Sequence, residues 1–232
     1  MFFKGLSNMK ILSRTKAITS TMSSNREVAW PSFLEVVQDT SNLALLKTID
    51  ELILHRPSLT ESARISYRHQ LGFIKIILAS ANTGSCIRLH LWDREGVADE
   101  DIHSHCTTFI SRVVLGSLVE KSYELTEGSS HTRFKYRQGH AAADGMTGVI
   151  LLKSKIMPSG TIYQRRPTEL HSISDVSKNT LTVSAWMPRN EDAIVLKPER
   201  SASAEDCTSP VGMPEHELYF LLKSIKDRLN GK

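Results

Sequence analysis

After Gly72 the spacing of apolar residues changes from the helical period to alternation, and alternation persists through Trp186. The segments that alternate are 73–79, 86–92, 107–125, 131–137, 148–156, 160–165, 170–175 and 180–187, with turn-rich pieces such as ANTGS, TEGSS and MPSG between them. So many short strands at such even spacing predict an antiparallel sandwich or barrel. Upstream, residues 30–71 read as helical. WPSFLEVVQ carries Phe33, Leu34, Val36 and Val37, and SNLALLKTIDELILH repeats the pattern at Leu45, Leu46, Ile49, Leu52 and Ile53 behind a serine able to cap it. Pro57 is expected to end that second helix, and a third is expected over about residues 61–69. The tail PEHELYFLLKSIKDRL puts Leu218, Leu221, Leu222, Ile225 and Leu229 on one face, which predicts a closing helix packed on the barrel.

A chain of 232 residues with 40% apolar composition can build a core of its own. No stretch approaches the roughly 18 apolar residues of a membrane span. The net charge of +4 comes without a basic stripe interleaved with aromatics, so nucleic acid is not an expected partner. Three cysteines, Cys86, Cys106 and Cys207, without CxxC spacing argue against a disulfide framework or a zinc ribbon and fit a reducing compartment. Residues 1–26 are basic, Ser/Thr-rich and free of acids, as in a disordered leader or a mitochondrial transit segment. The expected location is therefore the cytoplasm, with the mitochondrion as the alternative. The domain expected is single, over 27–232, with a helical section (27–71), a barrel (72–198) and a tail with a C-terminal helix (199–232).

Within DIHSHCTTFISRVVLGSL, His103 and His105 are one residue apart. Alternation along a strand turns both to one side, with α-carbons roughly 7 Å apart, close enough for two imidazoles to converge on one ion. A third histidine, His171, opens the strand LHSISDV after the hairpin-like stretch MPSGTIYQRRPTEL. Gly96, His103, His105, Phe109 and Gly116, followed by Gly160, Pro167 and His171, resemble the two motifs of the cupin superfamily, with Phe109 where a glutamate ligand usually stands. The resemblance implies a mainly β, double-stranded β-helix (jelly-roll barrel) with His103, His105 and His171 as metal ligands.

Within that superfamily the layout is most similar to the three-histidine thiol dioxygenases of the cysteine dioxygenase type, over roughly residues 60–190. The segments IRLHLWD, IHSHCTTFISRVVLGSLVEKSYEL and IYQRRPTELHSISDVSKNTLTVSAWMPR carry it. The family's carboxylate-binding arginine falls on Lys75, and its Ser-His-Tyr series falls on Thr182, Ser184 and Trp186. Cys106, beside His105, is not at the family's cross-linking position. What the resemblance implies is a mononuclear non-haem oxygenase, with iron(II) as cofactor ahead of zinc, nickel or manganese. Its partners would be dioxygen and a small anionic metabolite that coordinates the metal, and the assembly a monomer or homodimer. A non-redox lyase or isomerase, or an inactive binding or sensor module, are the rival readings.

Other residues enter as candidates. On CIRLHLWD the set Arg88, His90, Trp92 shares one face and Ile87, Leu89, Leu91 the other, and alternation alone leaves open which set points inward. If the polar set does, Arg88 binds the anion and His90 moves a proton. Lys75 would contact the substrate, Trp186 would narrow the pocket, and Tyr163 could hydrogen-bond a metal-bound ligand or simply pack. His55, His69, His131, His140 and His216 are expected to face solvent.

Overall fold

The structure is a computed structural model that describes residues 30–93, 100–137, 140–198, 203 and 210–231. The leader at 1–26, Gly96 and Cys207 lie outside the described residues. Three helices come first: α1 (Trp30–Gln38), α2 (Leu43–Leu54) and α3 (Arg56–Ile65). The strands follow as β1 (Tyr67–Arg68), β2 (Ile74–Ser80), β3 (Cys86–Trp92), β4 (Ile102–His103), β5 (Phe109–Leu115), β6 (Ser117–Arg137), β7 (His140–Pro158), β8 (Ile162–Arg165), β9 (Leu170–Ser174), β10 (Thr180–Trp186) and β11 (Ala193–Lys197). Helix α4 (Glu215–Leu229) closes the chain.

Every strand pairing is antiparallel, and the strands form a six-stranded sheet in the order β1-β2-β3-β10-β5-β8 and a five-stranded sheet in the order β11-β4-β9-β6-β7. This two-sheet arrangement is the jelly roll that the resemblance implies, and it agrees with the sandwich or barrel that the strand spacing predicts.

The six-stranded sheet is two-faced. Ile76, Leu78, Ile87, Leu89, Val114, Leu181 and Val183 turn outward and bury against Phe33, Leu45, Ile49 and Leu52 of α1 and α2. Burial at about 1.5–3 kcal/mol per large side chain makes this layer the main attachment of the helices. Arg112 points the same way and is fully buried, donating from Nε to the Val37 carbonyl (2.7 Å) and from Nη1 to Asn42 Oδ1 (2.9 Å). These bonds tie the end of α1 to β5. Helix α4 buries Leu218, Leu222 and Ile225 chiefly on α2 and α3, so the closing helix extends the helical layer rather than lying directly on the barrel.

Several local readings are corrected. Pro57 sits in the first turn of α3, where its missing N–H costs nothing and its fixed φ helps initiation; it starts a helix instead of only ending one. Helix α3 ends at Ile65, and residues 67–68 are already strand. The barrel gains β4 and β11, and Ser117–Arg137 pairs with His140–Pro158 as two long antiparallel strands, β6 and β7, instead of separate short ones. Gly116 ends the first histidine motif with φ +74°, and a Cβ there would meet Thr180 Oγ1 and, at 2.8 Å, Ser177 Oγ. Only glycine fits that left-handed, crowded corner between β5 and β6. No helix among the described residues is long and apolar enough to cross a membrane.

Candidate metal centre

The strand pairing builds the site. His103 on β4 is the direct cross-strand partner of His171 on β9, and Val195 of β11 flanks His103 on its other side. β4 ends at His103, so His105 lies just beyond the strand. Ser104 between them is pinned to β11, donating its N–H to the Ile194 carbonyl (2.8 Å) and accepting the Ile194 N–H on Oγ (2.9 Å). The three histidines converge with one ligand atom each, all within 4.8 Å of one another. Nε2 of His105 and Nε2 of His171 are 2.8 Å apart. At metal–nitrogen distances of about 2.1 Å, neighbouring ligands on an octahedral ion stand about 3.0 Å apart, so the His105–His171 pair already has the spacing of two ligands on one ion.

The other ring nitrogens fix the tautomers. His103 Nδ1 donates to the Asp101 carbonyl (2.8 Å), and His171 Nδ1 to Glu120 Oε1 (3.0 Å), leaving Nε2 of each as the lone-pair donor. Glu120, on β6, is gripped in turn by Arg165 of β8, whose Nε donates to Oε1 (2.7 Å) and whose Nη2 bonds Oε2. Burial works to raise the Glu120 carboxyl, but His171 and Arg165 outweigh it and hold the group below the usual carboxylate range. Burial pushes His103 down to about 3, with His171 beside it adding to the effect. Burial likewise drives His105 well below its ordinary value, so both rings are neutral, the form that binds metal. Sequence reading missed Glu120 and Arg165. Their signal was an acid at an inward, even-numbered position of the alternating run LVEKSYEL, in step with buried Leu118.

Phe109, which the resemblance sets in place of a glutamate, stands beside the three histidines. Its ring packs edge-on to His105 at 4.7 Å and stacks flat on Trp186 at 4.3 Å. Trp186 in turn lies edge-on to His105 at 5.0 Å. The ligands thus face hydrocarbon on this side, and no negative charge opposes the ion there.

The trio opens into a cavity of about 240 Å³ that is also lined by Lys75, Arg88, His90, Trp92, Tyr163 and Trp186. The polar set of β3 therefore faces inward, because α1 and α2 cover the opposite face and take Ile87, Leu89 and Leu91. Lys75 Nζ donates to Tyr67 Oη (2.8 Å), and burial, reinforced by Arg88, lowers the ammonium to about 7. The Arg88 guanidinium lies 3.5 Å over the Trp186 ring. His90 packs against Phe73 at 4.5 Å, and burial first, then Arg88 and Lys75, keep it neutral. Tyr163 bonds Ser111 through its hydroxyl, and burial raises it further above its ordinary value, so it is a protonated donor at neutral pH.

His69 is the exception among the histidines read as solvent-facing. It lines the cavity, stacks on Phe73 at 4.7 Å, and burial lowers it to about 3. His131 is half-buried beside Ser130, whereas His55, His140 and His216 are exposed, His55 with its ring accepting the Ser58 N–H at the start of α3. Cys86 and Cys106 are free thiols.

Fold and site together define a two-sheet antiparallel jelly roll carrying a three-histidine group able to hold a metal ion. The chain matches no protein-family model and no curated protein. Solved structures to which it is similar include KdgF from a Halomonas species (16% identity, 51% of this chain, 82% of that one, TM-score 0.33). They include an RmlC-like cupin from Shewanella frigidimarina (15% identity, 56% and 88%, TM-score 0.31) and an oxalate oxidase (15% identity, 69% and 74%, TM-score 0.35).

Proposed function

We propose that the chain is a metal-dependent enzyme, a mononuclear non-haem oxygenase that takes a small anionic metabolite directly onto a cation held by His103, His105 and His171. The observation that carries this reading is the convergence of three imidazoles on a cavity whose lining also carries Lys75 and Arg88. When bound, the metal supplies a Lewis-acidic centre and, as iron(II), a centre able to react with dioxygen, whereas zinc, nickel or manganese fit the same ligands. Three neutral ligands leave the full positive charge of the ion to attract an anion. The Asp101 carbonyl and Glu120 hold the ligand rings in place. Phe109 and Trp186 exclude water from one flank, Lys75 and Arg88 orient the substrate, the Tyr163 hydroxyl donates a hydrogen bond, and neutral His90 offers a ring nitrogen for hydrogen bonding.

The test is to purify the protein anaerobically, measure its metal content, add iron(II) with candidate thiols or amino acids, and follow oxygen uptake. Metal-dependent oxygen consumption supports the proposal. Turnover that persists without oxygen and with zinc would move the chain to the non-redox lyases and isomerases. A chain that neither retains metal nor gains melting temperature from it is no enzyme of this kind.

A further inference from the structure

Lys75 is a cavity lysine without an acid to pair with. Strand pairing sets it in the middle of a row, with Tyr67 of β1 directly opposite on one side and His90 of β3 on the other. Its Nζ is 2.8 Å from Tyr67 Oη and 4.4 Å from the centre of that ring. The side chain is half-buried and keeps its place in the cavity lining, so a molecule in the cavity meets it. The charged side chains that act on it, Arg88 and Arg189, are both cations, and the thiols of Cys86 and Cys106 and the neutral rings of His69 and His90 complete its titratable surroundings. Glu100 is the one acid on the lining among the described residues, and burial raises it to about 8, which leaves it largely uncharged at neutral pH.

An ammonium in such a place gives up hydration and gains no anion, so losing its proton relieves the cost. Burial, reinforced by Arg88, lowers Lys75 to about 7, so that about half of it is neutral amine at pH 7. A lysine in water, at about 10.4, is neutral there in fewer than roughly one molecule in a thousand. Desolvation beside a second cation is one way in which a lysine becomes a nucleophile toward carbonyl carbon.

We propose that Lys75 captures a small carbonyl compound, an aldehyde or ketone, as an imine on Nζ inside the cavity. The Nζ lone pair attacks the carbonyl carbon, and the electron pair of the C=O bond moves to oxygen, which takes one amine proton. The resulting carbinolamine expels that oxygen as water together with the second amine proton, and the C=N bond forms. No oxidant or reductant is needed. Tyr67 Oη, beside Nζ and kept protonated by burial, is placed to relay a proton between nitrogen and oxygen. The capture goes beyond the orienting role given to Lys75 above and holds whether or not the histidines carry an ion.

The experiment treats the purified full chain with propionaldehyde and cyanoborohydride, which reduces an imine to a stable propylamine, and follows each lysine by peptide mass spectrometry. Exposed Lys153 and Lys155 on β7 serve as internal references, and rate ratios cancel the reagent's own pH dependence. At about pH 7 Lys75 should be alkylated tenfold or more faster than either reference. By about pH 9 that ratio should fall tenfold or more, because an amine with a value of about 7 gains little further neutral form while a lysine in water is still gaining it. Lys75→Arg, which keeps the charge and forms no imine, should remove the fast adduct from the intact protein and leave both references unchanged. Lys75→Met serves if Lys75→Arg fails to fold, judged by circular dichroism. Alkylation of Lys75 no faster than the references, a ratio that stays level or rises with pH, or a fast adduct that survives the substitution overturns the proposal. No metal enters this readout, so its failure and that of the metal reading are told apart.

Discussion

His103 and His171 each commit Nδ1 to an acceptor, and Glu120 beneath them is held by two bonds from Arg165. Elsewhere on the lining of the cavity, Arg88 Nε, Trp92 Nε1 and Trp186 Nε1 are buried with no partner among the described residues. The first arrangement is complete from the protein's own groups except for the lone pairs aimed at one another. The second is complete only with something added. A satisfied polar network rigidifies whatever it holds, whereas unsatisfied buried donors are a cost that a ligand can remove. On the proposed function, the partnered region is the part of the cavity that would hold a cation, and the unpartnered donors are the part that would gain from a ligand.

The largest expected effect lies at the partnered end. His171→Ala removes one of three ligands and should abolish stoichiometric metal, read by elemental analysis of freshly purified protein; full retention would break the contrast outright. Glu120→Gln leaves the ligands but loses the charged acceptor and strands Arg165, and should weaken metal affinity about 10–100-fold, measured by competition with a chelator. An unchanged affinity would reduce the network to packing.

Acid should separate the two ends next. His69 and His103 have folded values of about 3, against about 6.5 for an unfolded chain. Between those values the unfolded state binds more protons, so their contribution is intact above about pH 6.5 and is lost as pH falls toward about 3. His105 and His90 are shifted in the same direction. Metal-free protein should lose melting temperature steeply from about pH 7 to about pH 4.5, and His69→Phe should flatten part of that slope. A profile unaffected by that substitution would place His69 outside the set of buried neutral imidazoles.

The smallest effect belongs to an unpartnered hydroxyl off the cavity lining. Thr182→Val keeps the shape of a side chain on β10 and removes a hydroxyl with no partner, and should leave the melting temperature the same or slightly higher, by up to about 1 kcal/mol of stability. A clear loss of stability would mean that the hydroxyl has a structural bond, and would weaken the contrast.

Legibility in the sequence followed the regularity of the local pattern. β3 and β10 were readable to the residue or nearly so because CIRLHLW and TLTVSAW combine alternation with β-branched and aromatic residues. Which face of β3 lined the cavity was not readable, since either set could be buried; the answer depends on α1 and α2, which are distant in sequence and cover Ile87 and Leu89. β4 is absent from the alternating segments because a two-residue strand has no period, and the strand assumed to carry both His103 and His105 ends at His103, where it aligns that ring with His171. Pro57 was read for its ability to stop a helix, while its place one residue after Arg56 made it an initiator. The three histidines were found from spacing and resemblance, but Arg165 was not, because its partner Glu120 is 45 residues away in the chain.

The cross-strand pairing of His103 with His171 makes the trio a reporter of completed folding. A slip of one residue in either short strand would reverse the direction of a ligand, since alternate side chains point to opposite faces. A nascent or misregistered barrel therefore offers at most a partial grip on a cation, and the full grip arrives only when β4, β9 and β11 have closed together. Metal uptake during refolding should lag behind formation of the helical layer, which makes the ion a late seal on the architecture instead of its seed.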